Sequence, residues 1–188
     1  MKRIIALIGP SGSGKTYIVN HLLGNQYRLV THTTRPARPD EKTDQDYFFE
    51  KHYTKTSDNL LDDHYAENYY WTKKSDILTR LNQQNLVVMI ITKKGYYDLA
   101  SDPDLGRYVY GIYLSVNKSD LIRRINDRPE SESEKKIRLK NLDNDMFSKE
   151  ELDTFSKRKH CYILDVSDPK SEKISYSKLR ALKDEVIR

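Results

Sequence analysis

The chain has 188 residues, enough for one domain with an inserted part, and its 33 basic and 28 acidic residues give a formal net charge of +5. Its longest apolar run, Leu86–Ile91, falls far short of the ~20 residues of a membrane span, and a single cysteine, Cys161, excludes an internal disulfide framework. The dispersed charges and the absence of a nucleic-acid motif point to small anionic partners, with no nucleic acid and no membrane among them.

The first element is an apolar run, Ile4–Ile8, with the character of a buried strand. An apolar strand this close to Met1 leaves no room for a signal peptide, and with the lone cysteine it predicts a cytoplasmic protein. The run leads into "GPSGSGKT", in which Gly9, Gly14, Lys15 and Thr16 fit G-x-x-x-x-G-K-[ST]. Tyr17, Ile18, Val19, Leu22 and Leu23 then fit a short helix closed by Gly24. Strand, loop and helix are the context that a phosphate-binding loop requires. Its backbone N–H groups must turn inward around an anion, which glycine dihedrals permit. The loop Gly9, Ser11, Gly12, Ser13, Gly14, Lys15 and Thr16 is therefore the predicted ATP site. Lys15 would reach the β- and γ-phosphates, and the Thr16 hydroxyl would hold Mg²⁺.

Tyr27–Val30 reads as a weaker strand. From Thr31 to Lys74 the chain is rich in Tyr, Thr, Asp and Asn and has no long helical period, so 31–74 is expected to be an inserted subdomain. Within it Arg35 and Arg38 stand three apart among prolines, spaced to grip one phosphate, with a tyrosine hydroxyl such as Tyr47 completing the donors. The spacing alone also fits an exposed basic loop. Further strands are expected at Leu86–Ile91, Tyr108–Leu114 and Cys161–Val166. Helices are expected around Leu121, Ile122 and Ile125 with Asn117 or Ser119 as cap, around Leu139, Leu142 and Met146, and around Leu179, Leu182 and Val186. The alternation predicts an α/β fold whose ligands lie beyond the carboxyl ends of the strands. A phosphate loop and a separate arginine clamp point to two phosphorylated substrates and phosphoryl transfer between them.

"GPSGSGKT", "THTTRPARPDE…DYFF" and "NYYWT" together resemble the guanylate kinase family, strongly through Thr72, fairly across Arg123–Leu139 and weakly at the C-terminus. The resemblance implies a P-loop parallel-sheet core over 1–30 and 75–188 flanked by helices, a monophosphate-binding insertion over 31–74 and a lid at about 124–140. It implies γ-phosphate transfer from ATP to GMP with Mg²⁺, in a monomer or homodimer. Matched position by position, Arg35, Arg38, Tyr47 and Tyr70 hold the acceptor phosphate, and Thr31 and Thr72 read the guanine. An acid before "NYY" also reads it, Asp62 first and Asp63 next. Arg124, Arg128 and Arg138 match the arginines that close over the transferring phosphate.

Three departures stand out. The family's D-x-D-x-Q-G after the strand is Ile90-Ile91-Thr92-Lys93-Lys94-Gly95 here, so both acids are missing. Trp71 fills a glycine position and is expected to narrow the base pocket or stack in it, or to lie in the core. Asp165 stands near a usual Asn beside the donor base. Intact phosphate machinery with altered base-reading parts predicts GMP or dGMP as acceptor with shifted preference. A divergent viral enzyme of nucleotide metabolism would fit. The alternatives are a kinase for another nucleoside monophosphate, or a non-catalytic guanylate kinase-like binding module.

Overall fold

The structure, a computed structural model, describes residues 2–38, 41–65 and 67–187, with side chains through residue 185. Four parallel strands form the main sheet in the order β6-β1-β7-β8. They are β1 (Arg3–Ile8), β6 (Leu86–Ile90), β7 (Val109–Ser115) and β8 (Cys161–Asp165). β1, β6 and β7 are largely apolar because both faces are covered, whereas β8, at the sheet edge, buries only Leu164. Ile5, Leu7, Val88 and Ile112 meet one helical layer, and Ile4, Ala6, Val87, Met89 and Tyr113 meet the other.

The first layer contains α1 (Lys15–Ile18) with its π-helical continuation Val19–Leu23, α4 (Lys118–Asn126), α5 (Glu132–Asp145) and α7 (Pro169–Ile187). The second contains α2 (Lys74–Gln83), α3 (Lys93–Ser101) and α6 (Lys149–Ser156). Gly24 ends the first helical segment as expected. Asn117 occupies the cap position of α4, although its side chain makes no capping bond. Leu142 is buried from α5 and Met146 ends that helix. Leu179 and Leu182 are buried from α7, while the side chain of Val186 lies outside the described residues. Among the described residues, no helix is long and apolar enough to cross a membrane.

Tyr27–Val30 is not a strand. A 3-10 turn over Asn25–Tyr27 uses up its start, and Arg28 forms no more than an isolated bridge to Val88 of β6.

Residues 31–73 build a second sheet, ordered β3-β2-β5-β4, from β2 (Thr31–Thr33), β3 (Tyr47–Phe49), β4 (Asn59–Tyr65) and β5 (Asn68–Lys73). Its register separates two faces by the period-two pleat. Thr31, Tyr47, Asp63, Tyr70 and Thr72 share one face, which is turned to a cavity. His32, Phe48, Asp62, Tyr69 and Trp71 share the other.

Candidate active site

A cavity of about 300 Å³ opens between the carboxyl ends of β1 and β6 and the second sheet. Gly9, Ser11, Lys15 and Thr16 line it from the loop after β1. Two glycines of that loop are required by its geometry. A Cβ on Gly9 would stand 2.8 Å from Ser13 Oγ and 3.1 Å from Leu114 O, so the backbone could not pass. Gly14 starts α1 at φ 90°, a left-handed conformation that side chains disfavour. Lys15 Nζ donates to Gly9 O at 2.6 Å and Pro10 O at 2.9 Å, and lies 3.5 Å from the buried Ser13 Oγ. The loop's own carbonyls thus hold the ammonium. Burial lowers the Lys15 pKa to about 8. Asp145 opposes that shift, and Arg128 and Arg138 add to it.

All eight acceptor-side residues read from the sequence line this cavity: Thr31, Arg35, Arg38, Tyr47, Asp62, Asp63, Tyr70 and Thr72. Arg35 lies over the Tyr47 ring at 5.3 Å and donates through Nη2 to both Glu41 oxygens at 2.8 Å. Arg38 Nη2 donates to Glu134 Oε1 at 3.1 Å and lies 3.6 Å from Glu130 Oε1. Burial pulls the Arg38 pKa down, but Glu134, Glu130 and Glu41 together raise it. These carboxylates occupy donors of both guanidiniums. Burial, with Tyr70 beside it, raises the Tyr47 pKa, so that hydroxyl stays a donor.

The two neighbouring acids differ. Asp62 borders the cavity, but its carboxylate accepts from Tyr53 Oη. Tyr53 stacks on Tyr69 at 4.2 Å and meets Trp71 edge-on at 5.3 Å. Asp63 projects from the cavity face opposite Tyr70, and on the same face the Thr72 hydroxyl is 3.5 Å from that of Thr31. Trp71 is buried and stacks on His32 at 5.3 Å, and it also borders the cavity.

Of Arg124, Arg128 and Arg138, only Arg138 lines the cavity, and it donates from Nη1 to Ser11 Oγ at 2.9 Å. Arg128 Nη1 donates to Glu130 at 3.2 Å. Arg124 lies behind the loop, donating to Gly12 O at 3.4 Å and Val166 O at 3.1 Å. It braces Gly12 against the end of β8. Asp165 makes a local turn, accepting from Ser167 N at 2.9 Å.

Ile90 and Thr92 border the cavity where the two family acids were expected. Thr92 caps α3, accepting from Gly95 N at 3.1 Å. A carboxylate instead enters from α5. Asp145 lines the cavity, burial raises its pKa, Lys15 opposes that shift and Asp63 adds to it. Asp145 was not singled out in the sequence. Its signal is a spacing of seven from Arg138, two turns along one helix face. Among the described residues, no three acidic, histidine or cysteine side chains cluster as a metal site. Mg²⁺ needs no such cage, because it keeps waters and takes one or two protein oxygens plus phosphates. Thr16 and Asp145, around the same cavity as Lys15, fit that donor set.

A glycine-bearing phosphate loop after the first strand of a parallel sheet defines a P-loop protein, and across the cavity from it lies a second sheet with Arg35 and Arg38 in its β2–β3 connection. The family model described as guanylate kinase matches residues 1–157. A guanylate kinase of Desulfotalea psychrophila is 30% identical over 162 residues, covering 80% of this chain and 78% of that protein. One from a Synechococcus strain is 32% identical over 162 residues, covering 80% and 73%. The crystal structure of guanylate kinase from Anaplasma phagocytophilum superposes with a TM-score of 0.62 at 17% identity, over 100% of this chain and 87% of that one, and supports the fold. The chain belongs to the guanylate kinase family.

Proposed function

We propose that the protein transfers the γ-phosphate of ATP to GMP or dGMP, giving ADP and the diphosphate. The observation that carries this reading is the single cavity shared by Lys15 of the phosphate loop, the Arg35–Arg38 pair and the Thr31–Asp63–Thr72 group. ATP phosphates lie in the loop, with Lys15 and the N–H groups of α1 around them. Arg35, Arg38, Tyr47 and Tyr70 hold the acceptor phosphate. Asp63 accepts from guanine N1–H and N2–H, and the Thr31 and Thr72 hydroxyls meet O6. An acceptor phosphate oxygen attacks the γ-phosphorus in line, and the bond to the bridging oxygen of ADP breaks. No general base is needed, because the nucleophile is already an oxyanion. Lys15, Arg128 and Arg138 offset the charge that develops on the transferred group, and Arg124 keeps the loop in place. Mg²⁺, held through Thr16, supplies Lewis-acid neutralisation of the phosphate oxygens.

The insertion 31–74 and the segment 124–140 act as the acceptor arm and lid of a core formed by the rest. One chain holds every residue of the site, so a monomer suffices. The cytoplasm, where ATP is available and Cys161 stays reduced, is the proposed location. A coupled ADP-release assay with GMP tests the reading. Release that depends on both nucleotides is expected, and its absence overturns the activity.

A further inference from the structure

Three arginines from two parts of the chain share one carboxylate. Glu130 lies in the turn between α4 and α5 with its side chain only 9% exposed. Its Oε2 accepts from Arg138 Nε at 2.6 Å, and its Oε1 accepts from Arg138 Nη2 at 3.2 Å. The same Oε1 accepts from Arg128 Nη1 at 3.2 Å and lies 3.6 Å from Arg38 Nη2. Burial opposes ionisation of Glu130, but Arg138, Arg128 and Arg38 outweigh it and hold the carboxyl below its ordinary range.

The grip on Arg138 uses one whole edge of a planar group. With Nε and Nη2 committed, the remaining nitrogen has a single direction, and Nη1 meets Ser11 Oγ in the phosphate loop. We propose that Glu130 is a positioning residue for phosphoryl transfer. By gripping one edge of Arg138 it aims Nη1 at the phosphate loop, and by reaching Arg128 and Arg38 it draws the acceptor arm and the lid arginines toward one anion. Arg38 is also paired with Glu134, but Arg128 and Arg138 around the Glu130 carboxylate still leave one positive charge for phosphate. Without Glu130 the same cations and Lys15 repel one another, and Arg138 can turn about its side-chain torsions.

The inference rests on the kinase reading above, and the test separates the two. An unmodified chain that releases no ADP from ATP and GMP overturns the parent reading before any variant is made. In an active chain, Glu130→Gln keeps the shape and removes the charge. It is expected to lower kcat by about tenfold or more while the ATP KM stays within about threefold. The readout that a merely structural role would not move is a double-mutant cycle with Arg138→Ala. Because Glu130 acts through Arg138, Glu130→Gln is expected to change kcat by less than about twofold in the Arg138→Ala background. Equal factors in both backgrounds overturn the proposal, as does a Glu130→Gln kcat within about twofold of the unmodified chain. Thermal unfolding confirms that all four proteins are folded at the assay temperature. If Glu130→Gln does not fold, Glu130→Asp takes its place in the cycle, with the same non-additivity expected.

Discussion

Asp62 is bound to Tyr53 on the aromatic face of the second sheet, one residue from an Asp63 that faces the cavity. The pleat alone makes this distinction, since successive side chains point to opposite sides. It predicts opposite outcomes for two adjacent, chemically identical substitutions. Asp63→Asn removes an acceptor for two guanine donors, and a charged hydrogen bond is worth about 1.5–3 kcal/mol. kcat/KM for GMP is expected to fall on the order of 10- to 100-fold. Asp62→Asn should leave it within about threefold and lower the melting temperature by a few degrees. Steady-state kinetics and calorimetry on both proteins check this, and the reverse pattern would return the guanine-reading role to Asp62.

Lys15 connects charge to pH. Its pKa in the free protein lies near 8 because burial disfavours the ammonium, and the ammonium is the form that binds phosphate. kcat/KM for ATP, which reports the free enzyme, is therefore expected to fall as pH rises through about 8. Bound phosphates favour the charged form, so the same limb in kcat should lie higher. A kcat/KM that stays level from about pH 7 to about pH 10 would contradict the assignment. Lys15→Ala should lower turnover by on the order of 100-fold or more, with little change in acceptor affinity.

The clamp separates the two nucleotides. Arg35→Ala and Arg38→Ala should each raise the GMP KM by roughly tenfold or more, and calorimetry should find ATP binding to the free protein hardly changed. A larger loss for ATP than for GMP would mean that the clamp serves the donor.

Glu134 makes acid stability testable. Its hydrogen bond from Arg38, with Ser131 adding to it, lowers its pKa from 4.5 to about 2 in the folded protein. A depressed carboxyl contributes stability that is present above the unfolded value and is lost as pH falls through the folded one. Unfolding curves of the unmodified chain and Glu134→Gln should thus differ above about pH 4.5 and converge toward about pH 2. The side chain is 40% exposed, so solvent screening keeps the difference small. Glutamine can still close the capping box with Ser131, which isolates the charge on Arg38. Curves that coincide at neutral pH would show that the Arg38 pair adds nothing.

Local chemistry was legible in the sequence wherever spacing alone determines geometry. G-x-x-x-x-G-K-[ST] specifies a loop whatever surrounds it, and four of the five expected strands are predominantly apolar stretches. Tyr27–Val30 failed because four residues fit either a turn or an edge strand, and Gly24 and the turn it begins decided the matter. Trp71 could not be placed from its neighbours, since its face depends on the register with His32. Asp62 and Asp63 were indistinguishable for the same reason. Glu130 and Asp145 also meet residues 92 and 130 positions away, Arg38 and Lys15, and no local pattern carries those long-range pairings.

The most direct test of the account is the acceptor panel. GMP, dGMP, AMP, dAMP, UMP, dUMP, dTMP and dCMP are compared under saturating ATP by ADP release. Asp63, Thr31 and Thr72 present groups complementary to guanine, and bases that lack its donors leave them unpaired. GMP or dGMP is therefore expected to give the highest kcat/KM. A pyrimidine monophosphate in first place would contradict the guanine reading of the cavity face while leaving the kinase in place. A panel in which no member accepts phosphate above background would contradict the enzyme itself and favour a phosphate-binding module.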